Sequence, residues 1–209
     1  MRVFLASRNA KKLAEMQRIL GEHAPGVVVV GLDDVPGYDE PVEDQPTFEG
    51  NALLKARAGF ENTGLPSLAD DSGLCVDALN GMPGVLSARW AGPPPSGQKE
   101  LADARNNELL LAQLADVPDE RRGAHFACAV VLVHEGGVEV VHGRMSGHVI
   151  REQRGSGGFG YDVLFVADAG EGPERTSAEL PPSEKDAISH RGKAIREIAP
   201  VVAEVLTDA

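Results

Sequence analysis

Two adjacent aspartates, Asp70 and Asp71, are the residues of this sequence best suited to chemistry. They follow the apolar run 65–69 and precede Ser72 and Gly73, which predicts a carboxylate pair at the turn after a buried strand. Mg²⁺ binds hard oxygen donors of this kind, usually one or two carboxylates, with water or phosphate oxygens at its other positions. Because Asp, Ser and Gly are also ordinary turn and cap residues, the pair alone leaves both a metal site and a plain turn open.

Two further groups could bind a phosphate or a metal. Residues 7–12 join a predicted strand to a predicted helix, so the first N–H groups of the helix and the Lys12 ammonium could bind a phosphate, although the Walker A glycines are absent. Ser7 or Asn9 could equally be a simple helix cap. Glu43, in the acidic run 39–44, could add a carboxylate to a metal site or could face solvent, as most acidic runs do.

Two groups nearer the C-terminus could recognise an organic ligand. A glycine-dense loop carries Phe159, Tyr161 and Asp162, and aromatic rings exposed in a loop suit base stacking, whereas buried ones would cover the core. A cationic, hydrogen-bonding cluster that includes His190 and Arg191 lies at the start of the last predicted helix. Cations there oppose the helix dipole, which favours a bound ligand unless nearby carboxylates compensate.

The elements that carry these groups are predicted from hydrophobic periodicity. The pattern indicates an α/β protein with a mixed sheet carrying helices and with active groups on loops beyond strand ends. The predicted strands are residues 2–7, 27–30, 65–69, 124–134, 138–147 and 163–166. The predicted helices are residues 9–20, 48–60 and 99–114, followed by helical stretches opened by Ser183 and Ser189, the last kinked or divided by Pro200.

Bulk properties narrow the class of protein. The chain has 209 residues and 42% hydrophobic content, enough for a sizeable core. It has no apolar run of about 18 residues and no signal peptide, so we expect a cytoplasmic protein that does not enter a membrane. The formal net charge of −12 argues against nucleic-acid binding and favours a small substrate. Cys75 and Cys128 are predicted to be buried thiols.

Six short blocks together resemble the inosine triphosphate pyrophosphatase family, whose bacterial members are called non-canonical purine NTP or dITP/XTP pyrophosphatases. No single block is specific, but their joint order and spacing are, and they span almost the whole chain. The blocks are SRNAKK (7–12), TFEGNA (47–52), ADDSGL (69–74), PG with SAR (83–89), GGFGYD (157–162) and SHRGKA (189–194).

The resemblance implies a fold and an activity. The implied fold is a single two-lobed domain over residues 1–209, with a long mixed β-sheet flanked by helices and a substrate cleft between the lobes, usually assembled as a homodimer. The implied reaction is Mg²⁺-dependent hydrolysis of ITP, dITP or XTP to the nucleoside monophosphate and pyrophosphate. The implied role is removal of deaminated purine nucleotides from the precursor pool.

The resemblance also implies roles in catalysis and phosphate binding. Asp71 resembles the catalytic carboxylate, which ligates the metal and accepts a proton from the attacking water. Glu43 resembles the second metal carboxylate, and Asp70 a residue that assists or orients. Contacts to the triphosphate and sugar are implied for Ser7, Arg8, Asn9, Ala10, Lys11, Lys12, Ser72 and Lys185.

The implied base site combines stacking with hydrogen bonding. Phe159 resembles the residue that stacks on the purine, and the wall is completed by Gly160, Tyr161 and Asp162. His190 and Arg191 resemble the residues that read the 6-position of the base. Donors aimed at this position pair with the carbonyl of hypoxanthine or xanthine and would face the amino group of adenine, a mismatch that hydrogen-bonding sites reject strongly.

One departure and two alternatives accompany the resemblance. Many relatives carry Glu where this chain has Gly50. Glu49, one place earlier, cannot replace it, because one residue turns a side chain about 100° around a helix; Glu43 therefore ranks above Glu49 as a ligand. One alternative is a Maf-like pyrophosphatase acting on canonical or modified pyrimidine nucleotides. The other is a non-catalytic nucleotide-binding protein, which would not need Asp71 and Glu43 as metal ligands.

Overall fold

The secondary structure is described for residues 1–95, 98, 101–168 and 174–208 of a computed structural model. The strands are β1 (Arg2–Leu5), β2 (Val28–Val30), β3 (Ser67–Val76), β4 (Gly123–His134), β5 (Gly137–Val149) and β6 (Phe165–Ala167). The helices are α1 (Ala10–His23), α2 (Phe48–Thr63), α3 (Ala102–Gln113), α4 (Pro182–Ile188) and α5 (His190–Asp208). Short 3₁₀ turns connect several of them.

The strands form one six-stranded sheet in the order β2-β1-β3-β4-β5-β6. Strand β1 runs parallel to both β2 and β3, whereas β5 and β6 are antiparallel. The predicted mixed sheet is therefore confirmed. By its internal contacts the chain divides into two compact units, Met1–Asp71 with Cys128–Gly143 and His190–Ala209, and Ser72–Ala127 with Arg144–Ser189. We call them unit 1 and unit 2.

Unit 1 has apolar side chains packed on both faces of its strands. Successive residues alternate between two clusters: Val3 and Leu5 of β1 pack with α1 and α5, whereas Phe4 packs with Ala52 and Ala56 of α2. Strand side chains point alternately to opposite faces, so helices cover both sides. This explains why β1 is a continuous apolar run rather than an alternating one.

Unit 2 has a separate apolar core. Leu74 and Val76 of β3 pack there with Leu110 and Leu114 of the α3 region. In the same cluster, Phe126 makes an edge contact with the ring of Phe165. Helix α3 thus buries its apolar side against the strands of this unit. Its polar side chains remain available for contacts with the neighbouring loops.

The predicted turn at Asp70 and Asp71 is wrong, because β3 continues through both residues to Val76. Asp and Gly are poor strand formers, but the two carboxylates find partners on other elements. Gly73 allows a close approach within unit 2, since a Cβ at this position would lie 2.4 Å from the carbonyl oxygen of Gly84. These partners are remote in sequence, so the local pattern could not reveal them.

Several smaller predictions concern single residues or short segments. Helix α5 runs through Pro200 without dividing, because residues on either side of the proline, such as Ile198 and Val202, are fully buried. The predicted start of a helix at Lys99 lies outside the described residues. Cys75 and Cys128 are both free thiols, as predicted, but only Cys128 is buried and Cys75 is half-buried. None of the described helices is both long and apolar enough to span a membrane.

Thr47 opens α2, since its side-chain oxygen accepts the Gly50 N–H at 3.0 Å. Thr47→Ala should lower the free energy of unfolding by about 1 kcal/mol, because the N–H loses its acceptor. Urea denaturation measures this change. Thr47→Ser keeps the hydroxyl and should lie close to the wild type; equal losses in the two variants would contradict the capping role.

Candidate active site

Asp70 is held by two cations in unit 1. Its Oδ2 accepts hydrogen bonds from Lys12 Nζ at 2.9 Å and from Arg191 Nε at 3.0 Å, and its side chain is 1% exposed. Burial alone would raise the pKa of this carboxyl, but the charges of Lys12, Arg191 and Lys55 outweigh burial and hold the pKa well below its usual range. Asp70 is therefore a fixed negative charge that orders the surrounding cations, rather than a proton acceptor.

Arg191 lies between two buried carboxylates. Besides its contact with Asp70, its Nη1 donates to Glu15 Oε2 at 2.9 Å. Burial alone would lower the pKa of this guanidinium, but the two carboxylates outweigh burial and raise the pKa above its ordinary value. The cation that the sequence places at an unfavourable helix start is thus compensated by carboxylates from β3 and α1. Its Nε and Nη1 point to these carboxylates instead of serving as free donors to a base.

Asp71 has a different environment from its neighbour. Its Oδ2 accepts a hydrogen bond from Asn51 Nδ2 at 2.9 Å, and its Oδ1 lies 3.9 Å from Lys55 Nζ. Burial raises the pKa of Asp71 above its ordinary value, although Lys55 and the Asn51 hydrogen bond act in the opposite direction. Two adjacent carboxyls whose pKa values are pushed apart are typical of a division of roles in an active site.

Lys55 links the carboxylates that the sequence singles out as metal ligands. Its Nζ lies 2.9 Å from Glu43 Oε1 and donates to the Asp70 carbonyl oxygen at 2.7 Å, in addition to its contact with Asp71. Burial lowers the pKa of this ammonium, but the three carboxylates around it produce a net rise. One cation therefore sits close to both Glu43 and Asp71.

The donor set around Lys55 fits a hard divalent cation. Glu43 and Asp71 supply carboxylate oxygens within reach of one positive charge. Over the ranges that the structure describes, no three His, Cys, Asp or Glu side chains are grouped to hold a metal. Two carboxylates are nevertheless enough for Mg²⁺, which usually completes its coordination with water and substrate phosphates.

The first sequence block forms the start of α1, with Ala10 as its first residue. Asn9 is confirmed as the cap, because its Oδ1 accepts the N–H groups of Lys11 at 3.0 Å and Lys12 at 3.2 Å. Ser7 Oγ accepts the N–H of Asn9 at 3.2 Å. These N–H groups, which could have bound a phosphate, therefore donate to side chains here, and the Lys12 ammonium reaches the Asp70 carboxylate.

Arg8 is directed to a different place from Lys12. Its guanidinium contacts Glu40 at 2.6 Å and Asp33 at 3.2 Å, and all three side chains are exposed. The hydrogen bond and charge of Glu40 raise the pKa of Arg8. Exposed ion pairs of this type contribute little to stability, so they leave Arg8 able to exchange partners.

Unit 2 contains the predicted aromatic loop. Asp162, which is 3% exposed, accepts at Oδ2 the N–H of Phe159 at 2.8 Å and a hydrogen bond from Lys185 Nζ at 2.5 Å. Lys185 Nζ also lies 5.2 Å from the centre of the Phe159 ring, within cation–π range. Phe159, Asp162 and Lys185 are thus brought together, with the ring only partly buried.

Tyr161 and His190 are both almost fully buried. Tyr161 is 4% exposed, packs in the core of unit 2 and donates its hydroxyl to the Ser87 carbonyl oxygen at 2.9 Å. Burial raises the pKa of this phenol. His190 is 5% exposed, and its backbone carbonyl lies so close to Gly143 that a Cβ there would be 1.8 Å away. Ser72, which follows Asp71 in β3, is half-buried.

Sequence reasoning missed three residues of unit 1 that the structure places in the site. Asn51 and Lys55 both contact Asp71 from α2, and their spacing of four residues puts them on one helix face. Glu15 is a carboxylate on the buried side of α1, next to Met16. Each had a signal in the sequence: the shared face of Asn51 and Lys55, and a charge within an apolar stripe for Glu15.

Comparison with known proteins finds relatives over nearly the whole chain. A profile of the Ham1 family matches residues 3–201. A dITP/XTP pyrophosphatase from Nocardia farcinica is 60% identical, covering 97% of this chain and 95% of the relative. A solved nucleoside-triphosphatase / dITP/XTP pyrophosphatase from Mycobacterium abscessus is 54% identical, with a TM-score of 0.73. The match covers 96% of this chain and 100% of the solved chain. The solved structure of a HAM1 protein from Coxiella burnetii is 40% identical, with a TM-score of 0.82. This match covers 98% of this chain and 99% of the solved chain.

Proposed function

Because the chain belongs to the Ham1 family, we infer that it is a nucleoside triphosphate pyrophosphatase that acts on non-canonical purine nucleotides. The resemblance drawn from the six blocks is thereby confirmed. The inferred substrates are dITP, XTP and ITP, and the products are the nucleoside monophosphate and pyrophosphate. The Maf-like pyrimidine alternative has no support from the match over residues 3–201.

One observation carries the proposed location of the chemistry: a single ammonium, Lys55 Nζ, approaches both Glu43 and Asp71. We propose that these two carboxylates hold a divalent cation, Mg²⁺, and that Lys55 neutralises part of the remaining charge. When bound, the metal supplies positive charge to the phosphate oxygens. The chain's own residues then have to orient the water and take up its proton.

Asp71 is the proposed proton acceptor. Its side chain is 11% exposed, so it is largely protected from bulk water. The Asn51 amide donates to its Oδ2 and fixes its orientation. A carboxylate in this position accepts the proton of the attacking water, which is general base catalysis. As the water oxygen bonds to phosphorus, the bridging P–O bond between the α- and β-phosphates breaks, and the nucleoside monophosphate and pyrophosphate separate. Asp70 does not compete for this proton, because the charges of Lys12, Arg191 and Lys55 hold its pKa well below its usual range.

The phosphates and the base are assigned to different groups of residues. We propose that the triphosphate and sugar contact Ser7, Arg8, Asn9, Ala10, Lys11, Lys12, Ser72 and Lys185. We propose that the purine stacks on Phe159, beside the loop backbone at Gly160, Tyr161 and Asp162, and that His190 reads its 6-position. Arg191 then contributes indirectly, because its Nε donates to Asp70 and helps to hold that carboxylate in place.

Assembly and location are further parts of the proposal. We propose a homodimer, on the basis of the family resemblance alone, and light scattering on the purified protein measures its mass directly. We also propose that the enzyme acts in the cytoplasm, where its nucleotide substrates are the precursors of nucleic acids.

Initial rates with ITP, XTP, GTP and ATP, each with Mg²⁺ and each with excess chelator, test the proposed function. ITP and XTP should be hydrolysed much faster than GTP and ATP, and chelation should stop the reaction. Equal rates on all four nucleotides would contradict the proposed base recognition. Absence of turnover on all four, with retained nucleotide binding, would favour the non-catalytic binding protein.

A further inference from the structure

Helix α3 holds both polar backbone atoms of Gly160, the residue that follows the proposed stacking ring. Asp103 Oδ2 accepts the Gly160 N–H at 2.7 Å, and Asn107 Nδ2 donates to the Gly160 carbonyl oxygen at 3.0 Å. Because Asp103 and Asn107 are four residues apart, they lie on one face of the helix. Together they fix the peptide groups on both sides of one glycine.

The loop needs such restraint. Gly158 and Gly160 flank Phe159, and both have positive φ, +67° and +62°, which glycine adopts at little steric cost but from a very flexible unfolded chain. The N–H of Phe159 is already held by Asp162. Asp103 and Asn107 add the restraint on the other side of the ring, so the backbone of Phe159 is fixed before and after its Cα.

Helix α3 is itself anchored at this point. Asn106, next to Asn107, accepts the Ala91 N–H at 2.8 Å and donates to the Ser87 carbonyl oxygen at 3.2 Å. The Tyr161 hydroxyl donates to the same Ser87 oxygen. The helix and the loop therefore share a common anchor within unit 2, and the hydrogen bonds to Gly160 come from a rigid support.

We propose that Asp103 and Asn107 are positioning residues for base recognition. They hold the Phe159–Gly160 backbone so that the ring is oriented before the nucleotide binds, which reduces the entropy lost on binding. The inference rests on the proposed function and deepens it, because it names the part of the chain that sets affinity for the purine. It predicts an effect on KM that depends on the Phe159 ring.

Steady-state kinetics on ITP test the inference with three variants of α3. Asp103→Ala should raise KM about tenfold, the size expected for one lost hydrogen bond to a charged group, with kcat within about twofold of wild type. Asp103→Asn keeps an acceptor oxygen and should restore most of the affinity. Glu108→Ala, an exposed carboxylate on the same helix, should change neither constant. Since Asp103 is also exposed, its removal leaves the core intact.

A double-mutant cycle separates positioning from a general structural effect. In a Phe159→Ala background, Asp103→Ala should change KM by less than about twofold, because the ring that it orients is absent. The full tenfold effect in that background, an unchanged KM in Asp103→Ala, or an equal loss in the Ala and Asn variants would overturn the inference. Failure of the wild type to hydrolyse ITP would instead contradict the proposed function itself.

Discussion

Replacing Asp71 with Asn should lower kcat for ITP by at least about 10³-fold, within the range by which a positioned general base accelerates proton transfer. The amide has nearly the same shape as the carboxylate and can still accept the hydrogen bond of Asn51, but it cannot take up a proton. Nucleotide affinity should stay within about tenfold, because Lys12, Lys55 and Phe159 are unchanged. Rapid-quench kinetics and equilibrium binding of ITP measure the two quantities.

Asp116→Asn is the matched control for this variant. Asp116 is an exposed aspartate in the segment that follows α3, and the same change there should leave kcat unchanged. If Asp71→Asn retained wild-type turnover, the proposed proton acceptor would be wrong. If Asp71→Asn instead lost nucleotide binding as well, its carboxylate would serve mainly to hold the metal and substrate.

Replacing Arg191 with Met should lower the free energy of unfolding by about 3–5 kcal/mol, the range found when one partner of a buried ion pair is removed. The Arg191 side chain is 3% exposed, and its guanidinium donates to both Asp70 and Glu15. Met fills a similar volume but leaves two buried carboxylates with one cation fewer. Urea denaturation monitored by circular dichroism measures the loss.

Arg57→Met is the corresponding control, because Arg57 is an exposed arginine on α2. It should change stability by less than about 0.5 kcal/mol, as surface substitutions usually do. A loss below about 1 kcal/mol in Arg191→Met would show that Arg191 is not the charge on which Asp70 and Glu15 depend. In that case its role in reading the base would again be the stronger interpretation.

The elements of unit 1 were largely predictable because their signals are local. The apolar run of β1, the helical spacing of α1 and the Thr47 cap of α2 are all present in a few consecutive residues. Element ends were less predictable. Helix α1 extends to His23 and β3 to Val76. The extension of β3 is held by core packing of Leu74 and Val76 in unit 2, whereas residues 21–23 of α1 are exposed.

The position of the aspartates shows what local patterns miss. Asp-Asp-Ser-Gly reads as a turn, yet the four residues lie within a strand. Lys12 and Arg191 are 58 and 121 residues away from Asp70. Their charges make a buried carboxylate stable inside a sheet, where a neutral environment would not. A pairing over such distances is set by the fold and leaves no trace in the neighbouring residues.

The site was predictable in composition more than in contacts. The six blocks identified Lys12, Asp70 and Arg191 as site residues, and the structure places them together. The blocks suggested that Arg191 faces the base, whereas its Nε and Nη1 contact carboxylates. A guanidinium has several donors and no acceptor, so sequence type alone does not determine which acceptor it takes.

Lys55 is the opposite case, because the helix dipole is enough to explain it in the sequence, whereas in the structure it lies at the centre of the candidate site. In the sequence it suits the later part of a helix, where a cation favours the dipole. In the structure it contacts Glu43, Asp71 and the backbone of Asp70. Its importance follows from which helix face meets β3, and that depends on the packing of Ala52 and Ala56 in the core.

Product identification is the most direct test of the central claim, that the chain cleaves non-canonical purine triphosphates between the α- and β-phosphates. The purified protein would be incubated with Mg²⁺ and ITP, and the nucleotides and phosphates resolved by chromatography at partial turnover. Inosine monophosphate and pyrophosphate in equal amounts are the predicted products. Inosine diphosphate with orthophosphate would place the cut at the other bond and contradict the account.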